Sequence, residues 1–546
     1  MVDHRNATLS ATQIALDAAA FDNRAGTVVS TGSEANVLRV QSRLDNSEGT
    51  LASNGDLTVT AAELGNAGGT VQHAGEGTLA INAAQLSGHG GSVVSNGSLN
   101  ITGQTTDLRD GNTSAQRIAI KTGELITAGG QLAATSTDAL HLQVQSRLDN
   151  TGGTIGSNGA VALSAANFIN NQGKLIAAGN AASSIRIAQS LENQGGTVSS
   201  NGALQIDAGR LGNAGGSVVV AEGAELRVKV DTLLDNSGGG RLAAGGDMSL
   251  EAARLDNRSG SIEHAGEGEL RVAVAELLGA DGSIVGNGSL TLEGGAVDLR
   301  GATTQARKLK LKAKTLTTAA GSLVSTGSDT LQLQVRDGLN NDGGAIAANG
   351  GLQLSAGALS NREGKLSSAG TSASNIDVSG QLDNTSGSIS SNADILGLSA
   401  GSLVNAKGVI SHAGAEGLQL STGRLDGQQG TMATAGALTL TAGVVDHRGA
   451  TLNANQLTLN AADFDNRGGT VVMTGNQANT LDVQGALDNG DGGTLASNSD
   501  LTIRAASFGN AAGTVQHAGT GTLAITAGTL TGQAGSLLSN GSLSIS

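Results

Sequence analysis

The chain has 546 residues and a formal charge of −15, with 85 Gly, no Pro, no Cys, no Trp and no Tyr; its four aromatic residues are all Phe. Without cysteine there is neither a disulfide framework nor a thiolate metal site, and an acidic chain lacks the basic face that a nucleic-acid partner requires. No run of 18 apolar residues occurs, so no membrane-spanning helix is expected, and MVDHRNATLS does not read as a signal peptide because no basic segment precedes an apolar one.

Length alone would suggest three or four domains. The repeats point elsewhere. Cut wherever Leu, Phe or Val opens a phrase like L-x-N-x-x-G, the chain falls into 26 pieces of 19 to 23 residues, the last incomplete. Apolar residues recur too regularly for a disordered Gly-rich chain. The first piece, VDHRNATLSATQIALDAAA from Val2, is short and opens without the asparagine. A 23-residue piece follows from Phe21, then LDNSEGTLASNGDLTVTAAE from Leu44 to Glu63. LGNAGGTVQHAGEGTLAINAAQL runs from Leu64 to Leu86, and LSGHGGSVVSNGSLNITGQT from Leu86 to Thr105. Short pieces return at Thr106, Val297 and Val445, each followed by a 23-residue piece. Near the end, Phe508 to Leu530 repeats Leu64 to Leu86 almost word for word, so whole blocks were duplicated. The rarest residues check the register: Phe21, Phe168, Phe464 and Phe508 all fall on the first position of a piece.

Each piece holds three short apolar segments, such as Leu64, Thr70-Val71 and Leu79-Ala80-Ile81, and the last alternates as a half-buried strand does. Between them lie turn signals: Asn-x-x-Gly, as at Asn66 and Gly69, and Asn-Gly, as at Asn54-Gly55, Asn96-Gly97, Asn158-Gly159 and Asn201-Gly202. Gly and Asn accept positive φ, so both are expected to mark sharp corners. Three strands of 3 to 5 residues and three corners make one turn of a solenoid. Turns then pair in parallel, with Leu stacked on Leu and Asn hydrogen-bonded to Asn. Parallel crossovers are right-handed, and pieces of 19 to 23 residues do not fit the hexapeptides of left-handed helices. The expected fold is all-β: a right-handed parallel β-helix of about 26 coils. Residues 1–546 are expected to form one continuous shaft, about 125 Å long at ~4.8 Å per coil. The absence of Pro fits, since Pro would delete a ladder hydrogen bond. The chain starts inside a first coil and stops at SLSIS inside a strand. It is therefore expected to be an excerpt of a longer protein, with Met1 an added start.

The same register places the candidate sites. His73, His264, His412 and His517 each lie in an H-A-G triplet of a 22-residue coil, nine, seven and five turns apart. That is about 24 to 43 Å, too far for one metal ion, so they read as corner residues. Asp-Asn pairs open many coils, as at Asp45-Asn46, Asp149-Asn150 and Asp383-Asn384, but the nonapeptide of a Ca²⁺-binding β-roll is missing. The densest match, Asp488-Asn489-Gly490-Asp491-Gly492-Gly493, occurs once. No metal and no cofactor is expected. The N-x-[ST] sequons, among them Asn6, Asn96, Asn287 and Asn540, read as turn chemistry. The sharpest anomaly is RKLKLKAK, Arg307 to Lys314. On a strand Leu309, Leu311 and Ala313 point inward while Lys308, Lys310, Lys312 and Lys314 form an outward stripe. With Arg307 they are a candidate site for an anionic polysaccharide or membrane surface; a solvated face that discourages sideways association is the plainer reading, and the favoured one. No coil exceeds 23 residues, so the long loops that carry catalytic acids in β-helix enzymes have no room. No G-K-[ST] loop or G-x-S-x-G elbow occurs either. An enzyme is not expected.

The phrase L-x-N-x-G-G-x-Φ-x-[SA]-x-G-x-L-x-Φ-x-A, seen in LDNTGGTIGSNGAVALSA from Leu148 to Ala165, resembles the hemagglutinin repeat of filamentous-hemagglutinin-like exoproteins. The resemblance covers essentially the whole chain. It implies the shaft of a secreted, cell-surface adhesin of a Gram-negative bacterium that binds cells or biofilm matrix. An outer-membrane transporter of a two-partner secretion system is the implied partner, and a cell-surface receptor or polysaccharide a further one. The family also includes the stick proteins of contact-dependent growth inhibition, which makes a passive toxin-delivery stalk the second reading. A carbohydrate-active β-helix is a distant third. No secretion domain or toxin is recognisable in this sequence, so neither role attaches to its residues.

Overall fold

A computed structural model describes residues 1–546. It holds fifty-three β-strands and no helix, and the strands pair in parallel into a β-solenoid of about 26 turns. Contacts group the chain into two compact units, Met1–Ala275 and Glu276–Ser546, and each is described by itself.

Within unit 1 most coils contribute two strands. One has four residues, as Thr50–Ser53; the other has nine or ten, as Asn36–Asp45 and Leu57–Gly65. The three expected segments are present, but the third runs into the first of the next coil without a loop. A bulge makes the corner instead: the register slips between Val40 and Arg43, where Gln41-Ser42 face the single residue Ala62. Coil length is absorbed at two places. The bulge takes one residue, and the turn from Ser30 to Asn36 is longer than that from Ser53 to Leu57. The repeat can therefore vary in length while every core residue keeps its level.

Inward side chains stack by identity. Val28, Leu51 and Val71 form one column, Leu38, Val59 and Ile81 another, Phe21, Leu44, Leu64 and Leu86 a third. All are 0–3 % exposed. Phe168 sits between Leu148 and Leu191, and in unit 2 Phe464 sits between Val445 and Leu487. The core is thus built from aliphatic columns, and Phe enters them on the first position of a coil.

A buried polar column runs beside them. In unit 1 Asn23 donates Nδ2–H to Asn46 Oδ1 (2.6 Å) and Asn46 to Asn66 (2.7 Å). A second run passes from Asn150 through Asn170, Asn193, Asn213 and Asn236 to Asn257, at 2.7 or 2.8 Å. Unit 2 repeats the device from Asn341 to Asn405 by way of Asn361 and Asn384, and from Asn466 through Asn489 to Asn510. Most of these Nδ2 groups also reach the carbonyl of the motif's glycine and a carbonyl one coil on, as Asn193 does with Gly196 and Ser217. The first asparagine of a run needs a donor below it. Where the preceding short coil offers histidine, His4 Nδ1 meets Asn23 and His447 Nδ1 meets Asn466, both at 2.7 Å. Where it offers Leu108 or Leu299 there is no donor, and the run opens with Thr127 or Thr318, whose hydroxyl donates to Asn150 (2.9 Å) or Asn341 (2.8 Å).

The corners differ from expectation. In Asn-x-x-Gly the left-handed residue is the one before the glycine. It is often not glycine at all: Ala25 has φ 51°, Glu48 57° and Lys407 56°. The motif's glycine is required for another reason. A Cβ on Gly69 would collide with the carbonyl oxygen of Asn46 on the coil before, and Gly196 stands likewise against Asn170. Neither Asn54 nor Gly55 takes positive φ. Asn54 instead donates its side-chain amide to the Thr31 carbonyl (3.0 Å), and a Cβ on Gly55 would strike the Glu34 carbonyl. Close coil-to-coil approach, rather than conformational freedom, selects these glycines.

The H-A-G histidines are core residues, not exposed corners. His73 replaces a serine in an inward column, between Ser53 and Ser95, and its Nδ1 lies 2.9 Å from Ser95 Oγ. His412 is bonded at both nitrogens, to Thr434 Oγ1 (3.0 Å) and the Ala393 carbonyl (2.8 Å). Burial pushes the imidazoles of His73 and His264 below the usual histidine range, and that of His447 likewise.

Three outcomes are expected. Asn193→Ala removes the shortest bond of the Asn170 amide and strands the acceptor of Asn213, and should cost about 2–4 kcal/mol in urea unfolding; the exposed Asn158→Ala should cost about 1 kcal/mol or less. Gly196→Ala should be strongly destabilising. Gly195→Asn, at φ 61° where an added Cβ would meet only Gln172 Cγ at an ordinary 3.8 Å, should lose under about 1 kcal/mol. Because the folded state holds these imidazoles neutral, the unfolded chain binds more protons below about pH 6.5. Stability is therefore complete above that pH and declines as pH falls from it towards the lowered folded values. The slope of melting temperature between about pH 6.5 and 5 should flatten in His73→Ser/His264→Ser.

Candidate functional site

The strand Lys308–Thr317 places the basic stripe as expected. Leu309, Leu311 and Ala313 are buried, and Arg307, Lys308, Lys310, Lys312 and Lys314 are exposed. The stripe follows one strand, with alternate lysines about 6.6 Å apart, and so runs along a single coil instead of from coil to coil. Its two ends differ. Lys308 and Lys310 lie beside Ser289 and Thr291, and Lys310 is flanked by Gln332 on the other side. Lys312 stands opposite Glu293, and Lys314 Nζ is 4.0 Å from the Asp337 carboxylate. Asp337 also takes a hydrogen bond from Arg336 Nε (2.9 Å), which holds its carboxyl below the usual range. Arg307, Lys308 and Lys310 are the more available half.

The far end of the stripe adjoins a groove. About 680 Å³ of open space lies along a column of small residues, Ala296, Thr315, Gly338 and Ala358, over Leu316 and Leu339. Lys314 is the residue before Thr315. A similar groove in unit 1, about 600 Å³, follows Ala166, Ala188 and Gly209 past Arg186, Asp207, Lys229 and Asp231. Both grooves follow the bulged corner, where a run of small side chains leaves a trough. Sequence reading did not single them out; the signal was there as Ala, Gly or Thr at the same position of successive pieces.

The coil-opening aspartates are committed elsewhere. Asp45 accepts from Ser47 N (3.1 Å) and Ser47 Oγ (2.6 Å). Asp22 takes both Nε and Nη2 of Arg24, and Arg24 Nε also lies 3.9 Å from Asp45 one coil on. Arg467 makes the same fork to Asp465 and reaches Asp488 at 3.5 Å. These arginines, legible as D-x-R in VDHR and FDNR, clasp neighbouring coils, whereas in VDLR Arg300 grips Asp298 of its own coil. The Arg5 fork holds the Asp3 carboxyl down to about 2. In the densest acidic stretch Asp488 Oδ1 accepts from the Gly490 amide (2.9 Å). No three His, Asp or Glu side chains converge as ligands for an ion. The Asn96 sequon donates to the Ala74 carbonyl (2.9 Å), and Asn540 to that of Ala518 (3.2 Å). No helix is long and apolar enough to cross a membrane.

The haemagglutinin repeat description matches ten overlapping segments: residues 1–35, 33–84, 74–144, 141–193, 180–227, 221–268, 265–328, 324–386, 373–491 and 474–546. No curated protein and no solved structure matches the chain. Repeats tile it from first residue to last, on the coils described above. The chain belongs to the haemagglutinin repeat family and is a filamentous-haemagglutinin-like protein.

Proposed function

We propose that this chain is a structural shaft segment of a secreted filament on a Gram-negative cell surface, and that it mediates adhesion to cells or biofilm matrix. The observation that carries the reading is the tiling of haemagglutinin repeats over the whole length on coils with no inserted domain. Coil-on-coil stacking makes length additive, which suits a part that sets distance and displays contacts many times over. An outer-membrane transporter of a two-partner system is the export partner the family suggests. No step of chemistry is assigned, and the second reading remains a passive stalk for toxin delivery.

The adhesive contact we favour is the basic stripe, with an anionic polysaccharide laid across the coil of Lys308–Thr317. Arg307, Lys308 and Lys310 would supply the main charge, with Lys312 and Lys314 steering the chain end towards the neighbouring groove. Beads carrying the protein should bind acidic matrix polysaccharide and lose it as salt rises. Changing Lys308, Lys310, Lys312 and Lys314 to Ser should weaken binding roughly tenfold, at about 0.3–0.4 kcal/mol per exposed lysine. Unchanged binding in that variant would remove the stripe from the account. No binding to cells or matrix by either protein would leave the stalk reading.

A further inference from the structure

Eight four-residue strands of unit 2, from Ser388–Ser391 to Ser536–Ser539, pair edge to edge into one continuous face. Its outward residues form two columns. One carries Thr431, Thr451, Thr470, Thr494 and Thr514 in direct register. The other carries short or uncharged residues such as Ala433, Val472 and Ala496. Between Ser388 and Ser546 the chain has ten Asp and Glu and five Lys and Arg. None occupies an outward position of these eight strands. The run is bounded on the N-terminal side by Lys365, which stands in the threonine column. A second charge-free run of the same strands opens unit 1, from Thr8–Ala11 to Thr154–Ser157, and ends at Lys174 in the same column.

We infer that this uncharged threonine face docks a second copy of this chain, face to face. Three features on the surface point to that occupant. First, the chain is strongly acidic, so two copies repel at most approaches, and this face is where close approach meets no like charge. Second, a stack of parallel strands repeats every ~4.8 Å. Another copy carries the same period, so threonine and small apolar rows interlock at every level, as in paired β-sheets. Third, eight strands of four residues measure about 38 Å by 13 Å, which would bury about 1,000 Å² over both copies, the lower end for a specific interface. Pairing is then weak and driven by concentration. Lys174 and Lys365 limit it as edge charges do, and they show that the fold accepts lysine in this column. This inference is independent of the basic stripe, which lies on another strand of its coil.

The test is sedimentation velocity of the 546-residue protein from about 1 to 200 µM, the range of weak association, at low and at moderate salt. The expected result is a shift from monomer to dimer with concentration, strengthened by salt as the net charge is screened. A variant with Thr50→Lys, Thr70→Lys, Thr470→Lys and Thr494→Lys should stay monomeric, with an unchanged circular dichroism spectrum. A control with Ser421→Lys and Thr441→Lys, on the long-strand face, should still associate. Wild-type protein that remains monomeric throughout would overturn the inference. So would association that survives the four lysines, which would place the contact at open strand ends or on another face. Binding of monomeric wild type to insoluble polysaccharide, lost in the four-lysine variant, would give the face to a glycan partner and overturn it equally.

Discussion

A side-chain amide buried away from water must find partners for two donors and an acceptor, and here its partner is the same amide one coil away. That single requirement sets the translation between coils. Asn193 can satisfy Asn170 and Asn213 only if the three coils lie at one spacing and in one register. Strand pairing and aliphatic columns then follow, because any shift that breaks the asparagine column also takes Leu off Leu. The cost of leaving such a group unpaired, about 1–3 kcal/mol, is paid per coil, so the constraint acts everywhere along a run.

This explains what may vary and what may not. Coil length drifts by a few residues because the bulge at Gln41-Ser42 and the turn after Ser30 take up the difference outside the column. The residue before the motif's glycine changes freely among Ala25, Glu48 and Lys407, since it faces outward in a left-handed turn. The glycine does not change in the same way, because the preceding coil's carbonyl lies where its Cβ would be.

Much of this was legible in the sequence. Recurrent L-x-N-x-x-G gave the coil and the asparagine column, and the four Phe gave the register that the columns of Phe21, Phe168, Phe464 and Phe508 obey. The orientation of Lys308 to Lys314 followed from alternation alone. Other features were hidden because they depend on which residues of different coils share a face. The fused long strand hides behind polar bulge residues that look like a loop. His73 and its equivalents look like corner residues, yet they stand in a serine column inside the core. The grooves and the uncharged face arise from positions about twenty residues apart, which no local window compares.

The asparagine column is not continuous, and its interruptions divide the molecule. In unit 1 the run from Asn23 ends at Asn66; Gly88 and Leu108 hold the column without any amide, and Thr127 begins it again. Hydrogen-bonded amides polarise one another along a run, and that mutual reinforcement stops at the glycine. Each run is therefore a cooperative segment with its own ends. Under tension or partial unfolding, the loss of one coil would spread readily through its own run and halt at the next coil that brings glycine to this position. The coils that bring glycine to this position work as crack-stoppers, confining damage to one run while its neighbours keep their stacking.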